Sequence, residues 1–170
     1  MQRLTSTSAV ADREGARRAG LSIATSFMKE LSFFDTNVLV YAEDADEPIK
    51  RQRAIELVTA AMHDGTGVIS TQVLQEFFAV CTRKLGIKPE TVQRRMQLLT
   101  TLNVIQITTD DTLDAVDLVR LHKLSYWDAL IINAARKAGC STLLSEDMNH
   151  GQSISGVKIR NPFIGAVHER

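Results

Sequence analysis

Apolar residues recur along the chain in two alternating patterns. Short continuous runs, each closed by a polar or turn-forming residue, predict buried strands at 31–35, 67–70, 103–107, 142–145 and 157–159. Recurrence at helical spacing predicts helices at 48–65, 71–81, 89–102, 110–121 and 125–138. The Asp-Thr-Asn segment that follows the first strand is predicted to be a turn, and the last strand is predicted to lie at the sheet edge.

Strands that alternate with helices predict an α/β fold with a central parallel sheet covered on both faces. The helix at 125–138 is the most apolar in the chain and is predicted to be buried on several sides. A chain of 170 residues is the usual size of one such domain.

The first 27 residues differ from the rest because they mix Ser, Thr, Ala and Arg with little apolar periodicity. We interpret residues 1–27 as a disordered or upstream extension, and residues 28–170 as the folded domain. The segment lacks the continuous apolar stretch of a secretory signal, and Asp12 and Glu14 count against a transit peptide.

The charge balance excludes binding of nucleic acid by net charge alone, because 20 basic residues offset 20 acidic ones. The two cysteines, Cys81 and Cys140, form no CxxC pair, so neither a zinc site nor a disulfide framework is indicated. With no apolar run long enough to cross a bilayer, we expect a cytoplasmic protein with no membrane contact.

Three acidic residues fall at or just beyond the ends of predicted strands, where ligands bind in open parallel sheets. Asp35 ends the first strand, Glu76 lies in the helix after the second, and Asp147 follows the fourth. Asp128, in the first turn of the most apolar helix, is the exception. Each also has a structural explanation: Asp35 and Asp147 can cap helices or form turns, and Asp128 follows Ser125 at the spacing of a capping box.

Glu76 is harder to explain as a surface residue, because Val73, Phe77 and Val80 are its helical neighbours. A buried carboxylate without a partner is costly, and neither Glu76 nor Asp128 has a Lys or Arg within one helical turn. A divalent cation would relieve the repulsion. Carboxylate and amide oxygens suit Mg²⁺, with Mn²⁺ as an alternative, and the histidines form no zinc motif.

Four segments together resemble the PIN domain family, most closely the VapC-type toxins of toxin-antitoxin pairs. They are Phe33-Phe-Asp-Thr-Asn-Val-Leu39, Gln75-Glu76-Phe77, Ser125-Tyr-Trp-Asp-Ala-Leu130 and Leu144-Ser-Glu-Asp-Met148. The resemblance implies a three-layer α/β/α sandwich and Mg²⁺-dependent endonucleolytic cleavage of RNA. By position it also implies that Asp35, Glu76, Asp128 and Asp147 are catalytic.

The resemblance further implies that Asp35 and Asp128 hold one or two Mg²⁺ ions, with Asn37 and Ser145 supporting the acids. It implies a small antitoxin as partner. We also expect a homodimer, because the apolar helices leave ample surface for one. Basic residues that are candidates for contacts to the RNA backbone, or alternatively for a solvated helix face, are Arg83, Lys84, Arg94 and Arg95.

Two other functions are open. A HAD-like phosphatase also places Asp after the first strand, but it needs a second Asp two residues later, where this chain has Asn37. The second is a PIN-fold partner-binding or regulatory module without catalytic turnover.

Overall fold

Six strands of the domain form a single sheet in the order β3-β2-β1-β4-β6-β5. A computed structural model of the protein describes residues 29–165. The predicted extension at 1–27 therefore lies outside the described residues. The strands are β1 (Ser32–Phe34), β2 (Gly67–Ser70), β3 (Asn103–Ile105), β4 (Thr142–Leu144), β5 (Ser153–Ile154) and β6 (Val157–Arg160).

Every neighbouring pair in the sheet is parallel except β5 and β6, which are antiparallel. The predicted α/β fold with a mainly parallel sheet is confirmed. The strand at Val157–Arg160 was expected at the sheet edge, and this was wrong: β5 lies outside it. β5 has two residues and pairs through the tight connection at Ser155 and Gly156, so it is too short to leave an apolar pattern.

In the described part of the chain, six helices flank the sheet. They are α1 (Thr36–Tyr41), α2 (Pro48–Asp64), α3 (Thr71–Arg83), α4 (Pro89–Leu99), α5 (Thr109–His122) and α6 (Tyr126–Lys137). Helices α1 to α4 pack on one another, and α5 packs on α6. Seven consecutive residues of α6, Ala129 to Ala135, are buried, which confirms the prediction for this helix. No helix within residues 29–165 is long and apolar enough to cross a membrane.

Local chemistry explains most helix boundaries. Pro48 and Pro89 occupy first turns, where a missing N–H costs nothing, and Gly65 ends α2 with a left-handed φ of 66°. Ser70 caps α3 by accepting the N–H of Val73. A complete capping box of Thr108 and Asp111 begins α5.

Two of the differences from the predictions have a local explanation. α4 ends at Leu99, three residues early, because the hydroxyls of Thr100 and Thr101 donate back to the carbonyls of Gln97 and Leu98. The Asp-Thr-Asn segment is not a turn but the start of α1. This helix was missed because its apolar residues are consecutive and buried, which hides helical periodicity.

The core is continuous through the sheet. Phe33, Val68, Ile69 and Leu143 are fully buried, as expected for strands covered on both faces. A Cβ at position 67 would lie 2.6 Å from the end of the Leu102 side chain and 3.0 Å from the Cβ of Ala61, so a larger residue than Gly67 in β2 would force these neighbours to shift.

Candidate active site

A cleft of about 530 Å³ opens at the carboxyl ends of β1 and β4. Five acidic side chains line it: Asp35, Asp44, Glu76, Asp128 and Asp147. Lys84 is the one basic residue among the described residues of its lining, and Tyr41, Val80, Trp127 and Ile131 supply apolar surface. All four acids predicted from the sequence therefore face one cleft, which we name the acid cleft.

Asp35 is the most deeply buried of these acids, with 6% of its surface exposed. Its Oδ1 caps α1 by accepting the N–H of Thr36 at 2.6 Å, and its Oδ2 accepts the Ser145 hydroxyl at 2.6 Å. The structural explanation of Asp35 as a helix cap is thus correct, but capping uses only one of its two oxygens.

The pKa of the Asp35 carboxyl is raised from 3.8 to about 6. Burial is the largest cause, and the negative charges of Asp147 and Glu76 add to it. Hydrogen bonds from Ser145 and Thr36 act in the opposite direction but do not compensate. The ionised form of Asp35 is therefore destabilised, and a bound cation would remove this destabilisation.

Asn37 connects the acids that follow β1 and β4. Its amide NH₂ lies 2.9 Å from Asp35 Oδ2, 3.0 Å from Asp147 Oδ2 and 3.3 Å from Ser145 Oγ. Its amide oxygen accepts the backbone N–H of Glu146 at 3.3 Å. One side chain thus holds together segments that are 110 positions apart.

Glu76 was expected to need a partner or a metal, and it has two hydrogen-bond donors. The Thr36 hydroxyl donates to its Oε2 at 2.8 Å, and the Gln72 amide donates to its Oε1 at 2.8 Å. Thr36 and Gln72 are both buried and were not singled out from the sequence. Gln72 could have been found, because it precedes Glu76 by four residues and so shares its helix face.

Asp128 lines the acid cleft from the first turn of α6. Its backbone N–H donates to the Ser125 hydroxyl at 3.1 Å, which is half of a capping box. Within residues 29–165 its carboxylate does not complete the box and makes no hydrogen bond to the other acids. The carboxylate is therefore not committed to helix capping.

Asp44 is a fifth acid of the cleft and was not singled out from the sequence. It is buried, and its Oδ1 accepts the backbone N–H of Asp46 at 3.0 Å. Because it lies in a run of acidic residues between two helices, its sequence context resembles that of a solvated linker.

Of the four basic candidates for contacts to RNA, Lys84 lines the acid cleft, whereas Arg95 pairs with Glu43 at 3.4 Å in a different groove.

The segment that carries Asp147 is also tied to α1 and α2. Glu146 forms an ion pair with Lys50 at 2.7 Å and accepts a hydrogen bond from the Tyr41 hydroxyl. Lys50 also lies 4.5 Å from the centre of the Tyr41 ring, which packs edge-on against Phe163. Burial alone would lower the pKa of Lys50, but its hydrogen bonds to Glu146 and Tyr41 raise it.

The donor set of the acid cleft suits a hard divalent cation. It consists of carboxylate, amide and hydroxyl oxygens, and the raised pKa of Asp35 shows that its anion lacks a compensating charge. Within residues 29–165, no three acidic, histidine or cysteine side chains already stand close enough to hold one ion together. Asp35 and Asp128 could therefore hold such an ion only with some movement or with water as additional ligands.

The PIN domain family matches residues 32–152, which include all the acids of the cleft. The chain belongs to the PIN domain family. No curated protein matches the sequence of this chain.

Among solved structures, the fold is similar to that of VapC-type toxins. A toxin-antitoxin complex from Klebsiella pneumoniae aligns with a TM-score of 0.58 and 24% identity, covering 77% of this chain and 97% of that one. VapBC2 from Rickettsia felis, bound to a promoter DNA fragment, aligns with 0.57 and 22%, covering 77% and 98%. VapC20 from Mycobacterium tuberculosis, described as a Sarcin-Ricin loop cleaving toxin, aligns with 0.52 and 20%, covering 68% and 91%.

Proposed function

We propose that this protein is an Mg²⁺-dependent endoribonuclease and the toxic component of a toxin-antitoxin pair. The observation that carries the proposal is the buried Asp35, whose pKa is raised beside Asp147 and Glu76 in an open cleft at the carboxyl edge of the sheet. Membership of the PIN domain family and similarity in fold to a toxin described as cleaving the Sarcin-Ricin loop support it.

In this proposal Asp35 and Asp128 hold the ion, and Glu76 and Asp147 contribute to its coordination, partly through water. When bound, Mg²⁺ supplies a Lewis acid that offsets negative charge developing on the phosphodiester. Mn²⁺ has the same preference for oxygen ligands and could replace it.

The chain itself positions these groups. Ser145 and Thr36 each donate a hydrogen bond to one oxygen of Asp35, so the orientation of the carboxylate is set by the fold. Asn37 holds Asp147 beside Asp35, and Thr36 holds Glu76. Lys84 supplies positive charge in the lining of the acid cleft and attracts the phosphate of the substrate.

The test is cleavage of total RNA by the purified protein in Mg²⁺ and in EDTA. Asp35→Asn and Asp128→Asn are compared with Asp117→Asn, which removes the same charge from an exposed position on α5. We expect discrete Mg²⁺-dependent fragments from the wild type and from Asp117→Asn, and none from the two cleft variants. Fragments that persist in EDTA or in both cleft variants would contradict the proposal.

If the folded wild type binds Mg²⁺ and cuts no RNA, the chain is instead a PIN-fold partner-binding or regulatory module. Partner binding has structural support of its own. A groove of about 310 Å³ between α2 and α4 has an apolar floor that includes Val58, Phe77 and Leu99. Ile55 and Leu98 are exposed at its rim.

We propose that a small antitoxin binds in this groove, as the similarity to toxin-antitoxin complexes suggests. Expression of the wild type should arrest growth, and a cognate antitoxin should restore it. Leu98→Glu should abolish the rescue without loss of RNA cleavage, whereas Gln97→Glu, an exposed neighbour on α4, should leave the rescue intact. Equal rescue of both variants would exclude this groove.

We also propose a homodimer formed through α5 and the start of α6. Leu113, Val116 and Leu121 on α5 and Trp127 on α6 are large apolar residues with 44–75% of their surface exposed, so association of two copies through this surface would remove apolar area from water. Light scattering should give twice the mass of the chain for the wild type and a smaller mass for Val116→Asp. A wild type that remains monomeric at high concentration would contradict this proposal.

A further inference from the structure

A second concave surface of about 500 Å³ lies at the same edge of the sheet, beyond β6. Its lining includes three basic side chains, Arg53 of α2, His150 of the segment after Asp147, and Arg160 at the end of β6. We name it the basic pocket. Asn161, Pro162, Ile164 and Gly165 complete its described lining, and none of these residues is acidic.

The register of the sheet places the basic pocket next to the acid cleft. Phe34 of β1 is in register with Leu144 of β4, and Leu144 is in register with Arg160 of β6. Since neighbouring strands lie about 4.8 Å apart, Arg160 begins about 10 Å from the strand end that carries Asp35. Asp35 and Arg160 therefore lie at the carboxyl ends of β1 and β6 along one edge of the sheet, on either side of the segment that follows β4.

The donors of the basic pocket are available for a ligand. Within residues 29–165, Arg160 is exposed and forms no ion pair. In the same part of the chain, Arg53 forms one ion pair, with Glu56 at 3.8 Å, and the two side chains are 39% and 53% exposed, so the interaction is weak. His150 Nδ1 accepts the backbone N–H of Asn161 at 3.0 Å, so the ring proton is on Nε2, which remains free to donate.

We propose that the basic pocket binds a backbone phosphate of the RNA strand whose scissile phosphodiester lies in the acid cleft. The inference rests on the proposed ribonuclease function. Two guanidinium groups and an imidazole N–H are suited to phosphate oxygens, and they are aligned with the acid cleft along one sheet edge. Because the chain has no net charge, a polyanion next to five carboxylates needs local cations to hold it.

The position also fits an extended strand. A spacing of about 10 Å along the sheet edge is short enough to be crossed by a few nucleotides of single-stranded RNA. Contacts to phosphate fix the register of the strand and carry no base information, so the basic pocket sets where the strand lies and not which base is cut.

The test is binding of a fluorescent single-stranded RNA of about 12 nucleotides, measured by anisotropy in EDTA, where the proposed cleavage is blocked. Arg53→Gln/Arg160→Gln is compared with Lys88→Gln/Arg120→Gln, which removes two positive charges from exposed positions outside both sites. Arg120 matches Arg53, since it also forms only a weak 3.8 Å pair within its own helix.

We expect the pocket variant to bind RNA about five- to tenfold more weakly at physiological salt, and its salt dependence to fall by about 0.7 in log–log slope, the value for one phosphate of a single strand. The control variant should bind like the wild type. In Mg²⁺, KM for cleavage should rise in the pocket variant while kcat stays near that of the wild type. Thermal melting establishes that both variants are folded.

Equal RNA affinity of the two double variants would overturn the inference, even if the protein cleaves RNA. If the chain cleaves nothing but the pocket variant alone loses RNA affinity, the phosphate site stands and only the proposed chemistry fails. A poly-glutamate peptide tests the rival ligand: if the pocket variant loses affinity for the peptide and not for RNA, the pocket serves an acidic protein partner and the inference is wrong.

Discussion

Removal of the Asp35 charge should stabilise the metal-free protein at neutral pH and destabilise it in acid. The folded-state pKa of about 6, compared with 3.8 for the free side chain, corresponds to about 3 kcal/mol at about 1.4 kcal/mol per tenfold change. This is the energy by which burial and neighbouring carboxylates disfavour the Asp35 anion.

The direction of the pH effect follows from where the proton is held. Between about pH 4 and pH 6 the folded protein keeps a proton on Asp35 that the unfolded chain releases. The contribution of Asp35 to the free energy of unfolding is therefore fully present below pH 3.8 and is lost as pH rises through about 6.

Asp35→Asn removes this pH-dependent loss of stability, but it also removes a hydrogen bond. Asn remains a good N-cap for the Thr36 N–H, but its own NH₂ group would face that of Asn37, which costs about 1 kcal/mol as one hydrogen bond is lost. The net effect should be a gain of about 1–2 kcal/mol at pH 7.5 and a loss of about 1 kcal/mol near pH 4. In a domain of this size the gain raises Tm by about 4 °C.

The assay is urea or thermal unfolding of the wild type and Asp35→Asn in EDTA at both pH values, with Asp117→Asn as the surface control. The difference between variants isolates Asp35, because other titrating groups contribute equally to both. Mg²⁺ should then stabilise the wild type and reduce the advantage of the variant. A difference of the same sign and size at both pH values would refute the argument that Asp35 is a strained anion.

Three further predictions concern residues that do not line the acid cleft. Lys50→Met leaves the half-buried Glu146 without its cation, so the free energy of unfolding measured by urea titration should fall by about 1–2 kcal/mol. RNA cleavage should also slow, because the segment that carries Asp147 becomes less firmly held. Unchanged stability and cleavage would contradict a role of Lys50 in holding this segment. Asp111→Asn should cost about 1–2 kcal/mol at pH 7 and little at pH 3, because the lowered pKa of Asp111 gives stability that is lost as pH falls. Cys81 and Cys140, whose pKa values burial raises to about 12, should not react with a thiol reagent at pH 8 until the protein is unfolded; rapid labelling of the native protein would exclude this.

The main architecture was predictable because each long element carries its own signal. In α2 and α4 the first-turn prolines mark the start, and in β2 a short apolar run passes directly into the Ser70 cap of α3. Such signals are local, so they persist in the sequence without knowledge of the fold. The alternation of strand and helix then leaves few arrangements other than a parallel sheet.

Two elements were not predicted, because their sequence patterns are very short and they are stabilised mainly by tertiary contacts. α1 has six residues, and its run of Val38, Leu39 and Val40 is buried on every side, so no polar face marks it as a helix. β5 exists only because β6 offers it a partner. Neither can be recognised from the residues alone, because both depend on what packs against them.

The candidate site was partly predictable for a similar reason. The ends of parallel strands indicate where acids will meet, and Asp35 and Asp147 were selected on that basis. The hydrogen bonds that arrange them were not predictable, since the reach of Asn37 to Asp147 and of Thr36 to Glu76 depends on side-chain rotamers set by packing. Asp44 was missed because it lies in an acidic segment in which Asp46 and Glu47 are exposed, whereas its own side chain is buried.

The hydrogen bond between Ser145 and Asp35 joins residues separated by 110 positions, and it has a consequence for the synthesis of the protein. β1 leaves the ribosome before its partner β4 and the segment to Asp147, which follow more than 100 residues later. A nascent chain therefore holds Asp35 without the groups that fix it until β4 and Ser145 have been synthesised. An incomplete chain released by stalling or proteolysis before Ser145 would lack the arranged acids, so truncated products of this gene should be inert towards RNA.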